Sequence, residues 1–312
     1  MASAARIGLL ALLWGSTFLW IKISLRGFTA VQVTFLRMII GAAFLLVVLW
    51  ILRRRRMAPR SFPWRHILVS AALANAIPYL LFTMAEKEIG SSSAGVINAS
   101  TPMWTFLAAW AFDRGQRDHH VRQTPGLVVG FLGCVLIFSP WKEDSDLMSW
   151  GGLECLIGAM FLGVSYVYMS RFLTNRGISP LILSAGQLSA ASVLLAPALA
   201  VEGAPILEPR ADALVALAIL GLFGTGAAYI LNYRIISDDG TVKASAVTYL
   251  LPVVSIILGA AVLDEQPTPT MLMGVVTVLA GVALTRRKGD RTGRHLGKEV
   301  GSAEMALRRP GK

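Results

Sequence analysis

Charge is what this sequence has least of. Only 15% of its 312 residues are Asp, Glu, Lys or Arg, where a soluble domain carries about a quarter. Cysteine is nearly missing: Cys134 and Cys155 are the only two, and both lie in apolar runs. They give no disulfide framework and no redox compartment, and read as small packing residues. No glycine-rich phosphate loop occurs, so nothing points to ATP as the driving force, and no cofactor is expected. The first apolar run is too long for a signal peptide, carries Trp14 and Trp20, and is followed by no small-residue cleavage site. It is expected to stay as a spanning helix.

What the chain does have is hydrophobicity, 55% of its residues, with a mean hydropathy of +0.62. A hydrocarbon layer about 30 Å thick takes roughly 20 apolar residues per helix. Ten stretches qualify, near 7–25, 31–52, 66–85, 91–112, 123–140, 150–171, 181–201, 213–234, 243–263 and 269–285. The net charge of +11 might suggest a nucleic-acid partner. The cations, however, sit in short loops and in the tail, so the expected partners are the bilayer and a small molecule. With the N-terminus in the cytoplasm, fourteen Lys and Arg fall in inner loops, five in outer loops and nine more in the tail. This is the positive-inside bias of an inner (plasma) membrane protein with both termini cytoplasmic.

Two stretches organise the rest. Residues 90–113 and 240–264 each open on small residues, run through an apolar span and carry a proline, Pro102 and Pro252. At the same offset of 150, Gly8 meets Gly158, Tyr79 meets Tyr229 and Ala94 meets Ala244. The fifth pair of spans aligns at 144, where Pro125 meets Pro269 and Gly130 meets Gly274. Five spans per half is an odd number, so the second half must run upside down relative to the first. The expected fold is therefore an all-α integral membrane protein, ten transmembrane helices as two inverted five-helix repeats. The halves are residues 1–141 and 142–286, followed by a basic disordered cytoplasmic tail, 287–312. Inverted repeats of this kind build alternating-access carriers, with the substrate site between them. A proline inside a span frees a backbone carbonyl and kinks the helix, which is tolerated beside a cavity.

Arg37 is the only Lys or Arg well inside a span. A cost of roughly 2.5–3.5 kcal/mol for such a charge at mid-helix makes it a site candidate. The alternative is a side chain that snorkels to the outer interface. Its partner at offset 150 is Gln187, so the charge is asymmetric between the halves. Glu154 reads as the deepest acid, either interfacial or a protonation site for coupling. Trp14, Ser16, Asn75, Tyr79, Asn98, Tyr166, Tyr229, Asn232 and Tyr249 are the polar and aromatic candidates for the lining, with Pro102 and Pro252 shaping it. Any single one could instead tie helices together. Asp118, His119 and His120 occupy a short basic loop without further ligands, so no metal is expected. Asp238 and Asp239, ahead of Gly240, read as a turn or cap.

With WGSTF at 14–18, FLRMIIGA at 35–42 and the proline-bearing fourth and ninth spans, the chain resembles EamA-type permeases of the drug/metabolite transporter (DMT) superfamily over about residues 6–287. A Gly-Glu pair often follows the fourth and ninth spans in that family. Glu265 matches the second Glu with Asp264 in place of Gly, while AFDRGQ in the first half lacks the pair. The resemblance implies a secondary carrier exporting amino acids, other metabolites or drugs, and no enzyme. A drug-efflux carrier is the alternative within transport. A membrane-embedded lipid-modifying enzyme would need clustered acids or histidines facing one interface, and a channel would need a ring-like charged constriction.

Overall fold

The computed structural model describes residues 3–52, 62–112, 117–138, 149–202, 210–262, 268–270 and 272–284. The expectations for the 287–312 tail and for Asp264 and Glu265 fall outside these residues, as do the side chains of Asp118, His119 and His120. Every secondary-structure element among the described residues is helical. In chain order they are α1 (Ser3–Ser24), α2 (Ala30–Ile51), α3 (Trp64–Glu88), α4 (Ser91–Asn98), α5 (Thr101–Phe112), α6 (Arg117–Phe138), α7 (Trp150–Phe172), α8 (Pro180–Glu202), α9 (Ala211–Asp239), α10 (Thr241–Leu258) and α11 (Leu272–Leu284).

Seven of these, α1, α2, α3, α7, α8, α9 and α10, are long and apolar enough to cross a bilayer. The remaining expected spans are shorter pieces. Residues 91–112 form α4 and α5, and the apolar parts of α6 and α11 are Thr124–Leu136 and Leu272–Leu284. Large apolar side chains such as Trp50, Phe112, Trp150, Val193 and Val276 face outward, while Thr34, Arg37, Asn75 and Gln187 are buried. That inside-out distribution suits lipid as the surrounding solvent and makes this an integral membrane protein.

Lipid tails are as apolar as leucine, so helices here associate by close packing rather than by escape from water. The contact of α6 with α11 displays this. A Cβ added at Gly281 would collide with the backbone of Gly130, and one at Gly133 would stand 2.5 Å from the Val278 amide nitrogen. The two backbones touch, and only glycine permits it. Elsewhere α2 lies along α8, α1 packs on α9 and α10, and α7 packs on α3, α4 and α5. A shift of 150, forward from the first half and back from the second, turns the α1 set of contacts into the α7 set.

Helix ends are closed locally. Thr29 and Gln32 form a reciprocal capping box at the start of α2, and Ser149 Oγ accepts from the Gly152 amide at the start of α7. The Lys22 ammonium donates to the Glu86 and Ile89 carbonyls at 2.7 and 3.2 Å, a cation on the last carbonyls of α3. Two longer-range clasps complete the ends. Glu88, at the end of α3, accepts from the Gly151 amide of α7 at 3.0 Å. At the end of α9, Asp239 accepts from Ser3 Oγ at 2.9 Å and Asp238 pairs with Arg6. Asp238 and Asp239 are thus the last turn of α9, held on α1, rather than a free turn. Gly240 follows with φ +86° and ψ 169°, a backbone state open essentially to glycine alone.

Candidate functional site

Both α3 and α9 loosen into a π-helical turn near mid-span, at Ala72–Ala76 and Leu220–Ala227. These positions correspond at offset 150. A π turn shifts the carbonyl ladder and leaves oxygens for other donors. Thr225 Oγ1 donates to the Leu220 carbonyl within the α9 turn at 2.9 Å. The Tyr229 hydroxyl reaches across to the Ala74 carbonyl of the α3 turn at 2.8 Å. Tyr79 in turn donates to the Tyr229 hydroxyl at 3.4 Å, their ring centroids 6.4 Å apart. The two tyrosines that share a repeat position therefore meet each other.

Arg37 stands in this setting and is 2% exposed. Its Nε donates to Thr225 Oγ1 at 3.1 Å, and its guanidinium carbon lies 4.2 Å from the centroid of the Tyr79 ring. This is a cation–π contact in a dry environment. Instead of snorkelling outward, the side chain stays in the interior. Among the described residues no carboxylate lies within ion-pair distance of it. The equivalent Gln187 on α8 sits in a different network: its amide nitrogen donates to Asn75 Oδ1 at 2.5 Å, and its oxygen accepts from Ser70 at 2.8 Å and from the Tyr233 hydroxyl.

A cavity taking in about 390 Å³ of empty space, its solvent-open part included, lies beside Arg37. It is lined by Trp14, Thr17, Phe18 and Ile21 of α1, Tyr79 and Phe82 of α3, Asn98 of α4, Leu162 of α7, and Thr248 and Leu251 of α10. Of the residues expected on the lining, Trp14, Arg37, Tyr79 and Asn98 come together there. Ser16 does not; its hydroxyl donates to the Leu13 carbonyl within α1. Asn75 belongs to the Gln187 network, and Tyr229 supports Tyr79 from behind, edge-on to Trp14 with centroids 6.2 Å apart. Tyr166 and Asn232 are buried outside the lining, and Tyr249 donates to the Leu127 carbonyl of α6 at 2.9 Å.

The prolines act differently from a mid-helix kink. Pro102 is the second residue of α5, after a break at Ala99 and Ser100, where a missing amide costs nothing. Thr101 Oγ1 donates to the Asn98 carbonyl at 2.7 Å. Pro252 restarts an α-helix after the 3₁₀ stretch Ala246–Leu250. Neither proline lines the cavity. Asn98 and Thr248, 150 residues apart and just ahead of the restarts, do.

Glu154 is 7% exposed in the first turns of α7 and lies outside the lining. It is not the deepest acid. Glu86 is fully buried, because α3 runs on to Glu88 and α1, α4 and α7 cover its end. The apolar run in the sequence ends at residue 85. Phe82 and Glu86 lie one helical turn apart on α3, so a face pattern continued past the apolar run would have found it. Cys134 and Cys155 are buried free thiols. Among the described residues no three His, Cys, Asp or Glu gather as a metal site.

Comparison with known proteins bears on what this arrangement is for. The model of the EamA-like transporter family matches residues 5–139 and again residues 149–287. The chain is 25% identical over 287 residues to an uncharacterized transporter of Archaeoglobus fulgidus, covering 90% of this chain and 96% of that one. It is 24% identical over 275 residues to YoaV, an uncharacterized transporter of Bacillus subtilis, covering 87% and 92%. It is also 24% identical over 277 residues to YedA, an uncharacterized inner membrane transporter of Escherichia coli K12, covering 88% and 87%. A solved crystal structure superposes with a TM-score of 0.72 at 19% identity over 93% of this chain and 98% of that one, a likeness of fold. A buried, helix-lined cavity in a multi-pass membrane protein, matched twice along its length by one transporter model, places the chain in the EamA-like transporter family.

Proposed function

We propose that this transporter is a secondary carrier of the inner membrane, exporting small amphipathic metabolites such as amino acids by alternating access around the central cavity. In this reading ten helices form two inverted five-helix halves, α1–α6 and α7–α11, with α4 and α5 together making one span and both termini cytoplasmic. The observation that carries it is the make-up of the cavity, whose walls come from both halves, with Asn98 and Thr248 as the one pair of described lining residues at corresponding positions. The π turns at matching places on α3 and α9 and the exchangeable packing of α1 and α7 support the same reading. A site between inverted halves can be reached from either side as one half rocks against the other. Glu154 is the proposed coupling acid: Glu154→Gln is expected to lose acceleration by a pH gradient and keep exchange.

Uptake into proteoliposomes, screened over amino acids, organic acids and cationic drugs with and without a pH gradient, tests the transport reading. Saturable flux that is enhanced by substrate on the opposite face is expected. Flux that neither saturates nor shows such counterflow would point to a channel. Reporter fusions test the inversion: those after Gly27 and Arg210 should read external, those after Arg176 and Gly240 cytoplasmic. A cytoplasmic signal after Arg210 would remove the inverted halves.

A further inference from the structure

Resting on that reading, we infer that the cavity recognises an organic anion with an apolar body, a monocarboxylate whose head lies between the Arg37 guanidinium and the Trp14 indole N–H, and that a cationic group on the substrate is not needed. Three observations carry it. Arg37 lines the cavity with one hydrogen bond spent on Thr225 and one face on Tyr79. A guanidinium has five N–H donors, and among the described residues no carboxylate closes on the rest at ion-pair distance. Glu86, two turns along α3 from Tyr79, is close enough for its charge to be felt at Arg37, but it is not part of the lining. The second observation is Trp14. Its Nε1–H is buried, it lines the same cavity, and among the described residues it has no acceptor. An indole nitrogen can only donate, so the group that satisfies it must be an acceptor.

The third is what else lines the walls. Phe18, Ile21, Phe82, Leu162 and Leu251 are apolar, and among the described lining residues none is Asp or Glu. A carboxylate entering here gains a planar two-donor fork from Arg37 and a further donor from Trp14. An ammonium entering gains neither, and meets a buried cation in a medium where like charges repel strongly. Its available acceptors are neutral, and the Asn98 side-chain oxygen already takes the Thr101 hydroxyl at 3.0 Å. The apolar walls suit a hydrocarbon or aromatic body. An amino acid would be held by its carboxylate, with its ammonium a burden rather than a handle.

A matched trio tests this: 3-phenylpropionate, phenylalanine and 2-phenylethylamine share one ring and differ in their charged groups. Binding to the purified protein is followed by tryptophan fluorescence, and transport by counterflow in proteoliposomes. The expected order is phenylpropionate, then phenylalanine, with phenylethylamine last. Arg37→Gln should weaken the two carboxylates at least tenfold and leave the amine unchanged or improved, with Arg37→Lys intermediate. Trp14→Phe, which keeps a ring and removes the donor, should weaken the carboxylates several-fold. A purely structural Arg37 would lower the folded yield and leave the order intact. The inference is overturned if the amine binds as well as the acid, if Arg37→Gln lowers all three equally, or if none of the three binds. Carrier-mediated flux of cations or neutral solutes without carboxylates would overturn it and leave the transporter standing. Folded protein with no carrier-mediated flux of any solute would overturn both.

Discussion

Arg37 on α2 and Gln187 on α8 occupy the same place in the two halves, and so do their partners. Arg37 donates to Thr225 in the π turn of α9, and Gln187 donates to Asn75 in the π turn of α3. Both pairs are separated by 150. The backbone frame is thus repeated, and a long side chain crosses to a short polar one at each place. What differs is charge and completeness. Gln187 is enclosed by Ser70, Asn75 and Tyr233, with both ends of its amide engaged. Arg37 is engaged through Nε and one ring face and is part of the cavity lining. One position locks helices and its counterpart gives the cavity its sign. Repetition supplied the geometry, and departure from repetition supplied the chemistry.

That contrast can be broken in both directions. Gln187→Arg should have the largest effect, because it forces a second guanidinium into a buried network of Ser70, Asn75 and Tyr233 that holds no carboxylate. An unpaired buried charge costs about 3–5 kcal/mol, so thermal unfolding in detergent should show a large loss of stability. A stable variant with doubled anion affinity would mean the two sites are interchangeable after all. Next comes Arg37→Gln, which makes the halves alike. Losing a hydrogen bond to a charged group costs about 1.5–3 kcal/mol, or roughly 10- to 150-fold in carboxylate binding at 1.4 kcal/mol per decade, measured by titration. Thr225→Val removes the acceptor that orients Arg37 Nε while keeping its shape. A drop of about 1 kcal/mol, roughly fivefold in affinity, is expected, and Asn75→Ala should instead reduce melting temperature and leave affinity alone. The smallest effect belongs to Tyr79→Phe, which keeps the ring under Arg37 and gives up a 3.4 Å hydrogen bond. Tyr79→Leu removes the ring as well and should cost about 0.5–2 kcal/mol of binding. Equal losses in the two variants would shift the role of Tyr79 from its face to its hydroxyl.

Much of this was legible in sequence because hydrophobic length and a constant offset are one-dimensional signals. The helical, membrane-spanning character follows from the runs, and offset 150 already paired Arg37 with Gln187 and Tyr79 with Tyr229. The same offset also joins Asn75 to Thr225 and Asn98 to Thr248, but a threonine in an apolar span looks like any other helix contact until its partner is seen. The π turns were not legible. ALANA and LGLFGTGA are rich in small residues, yet small residues in spans usually mean close packing. Pro102 was found and its action misjudged, because a sequence shows the missing amide and not whether a helix has just restarted. Glu86 was missed because an acid beyond an apolar run marks the boundary of a span by composition, whereas neighbouring helices decide whether it is covered.

The clasps at the ends of α3 and α9 have a consequence for how the two halves hold together. Glu88 of the first half grips the opening turn of α7, and Asp238 and Asp239 of the second half grip that of α1. With α6 and α11 meeting backbone to backbone, each half carries the receptor for the other's leading helix. These contacts, more than the covalent connection between Phe138 and Ser149, are expected to tie the halves together. Two polypeptides, one ending after Phe138 and one beginning before Ser149, are expected to associate when expressed together, which co-purification checks.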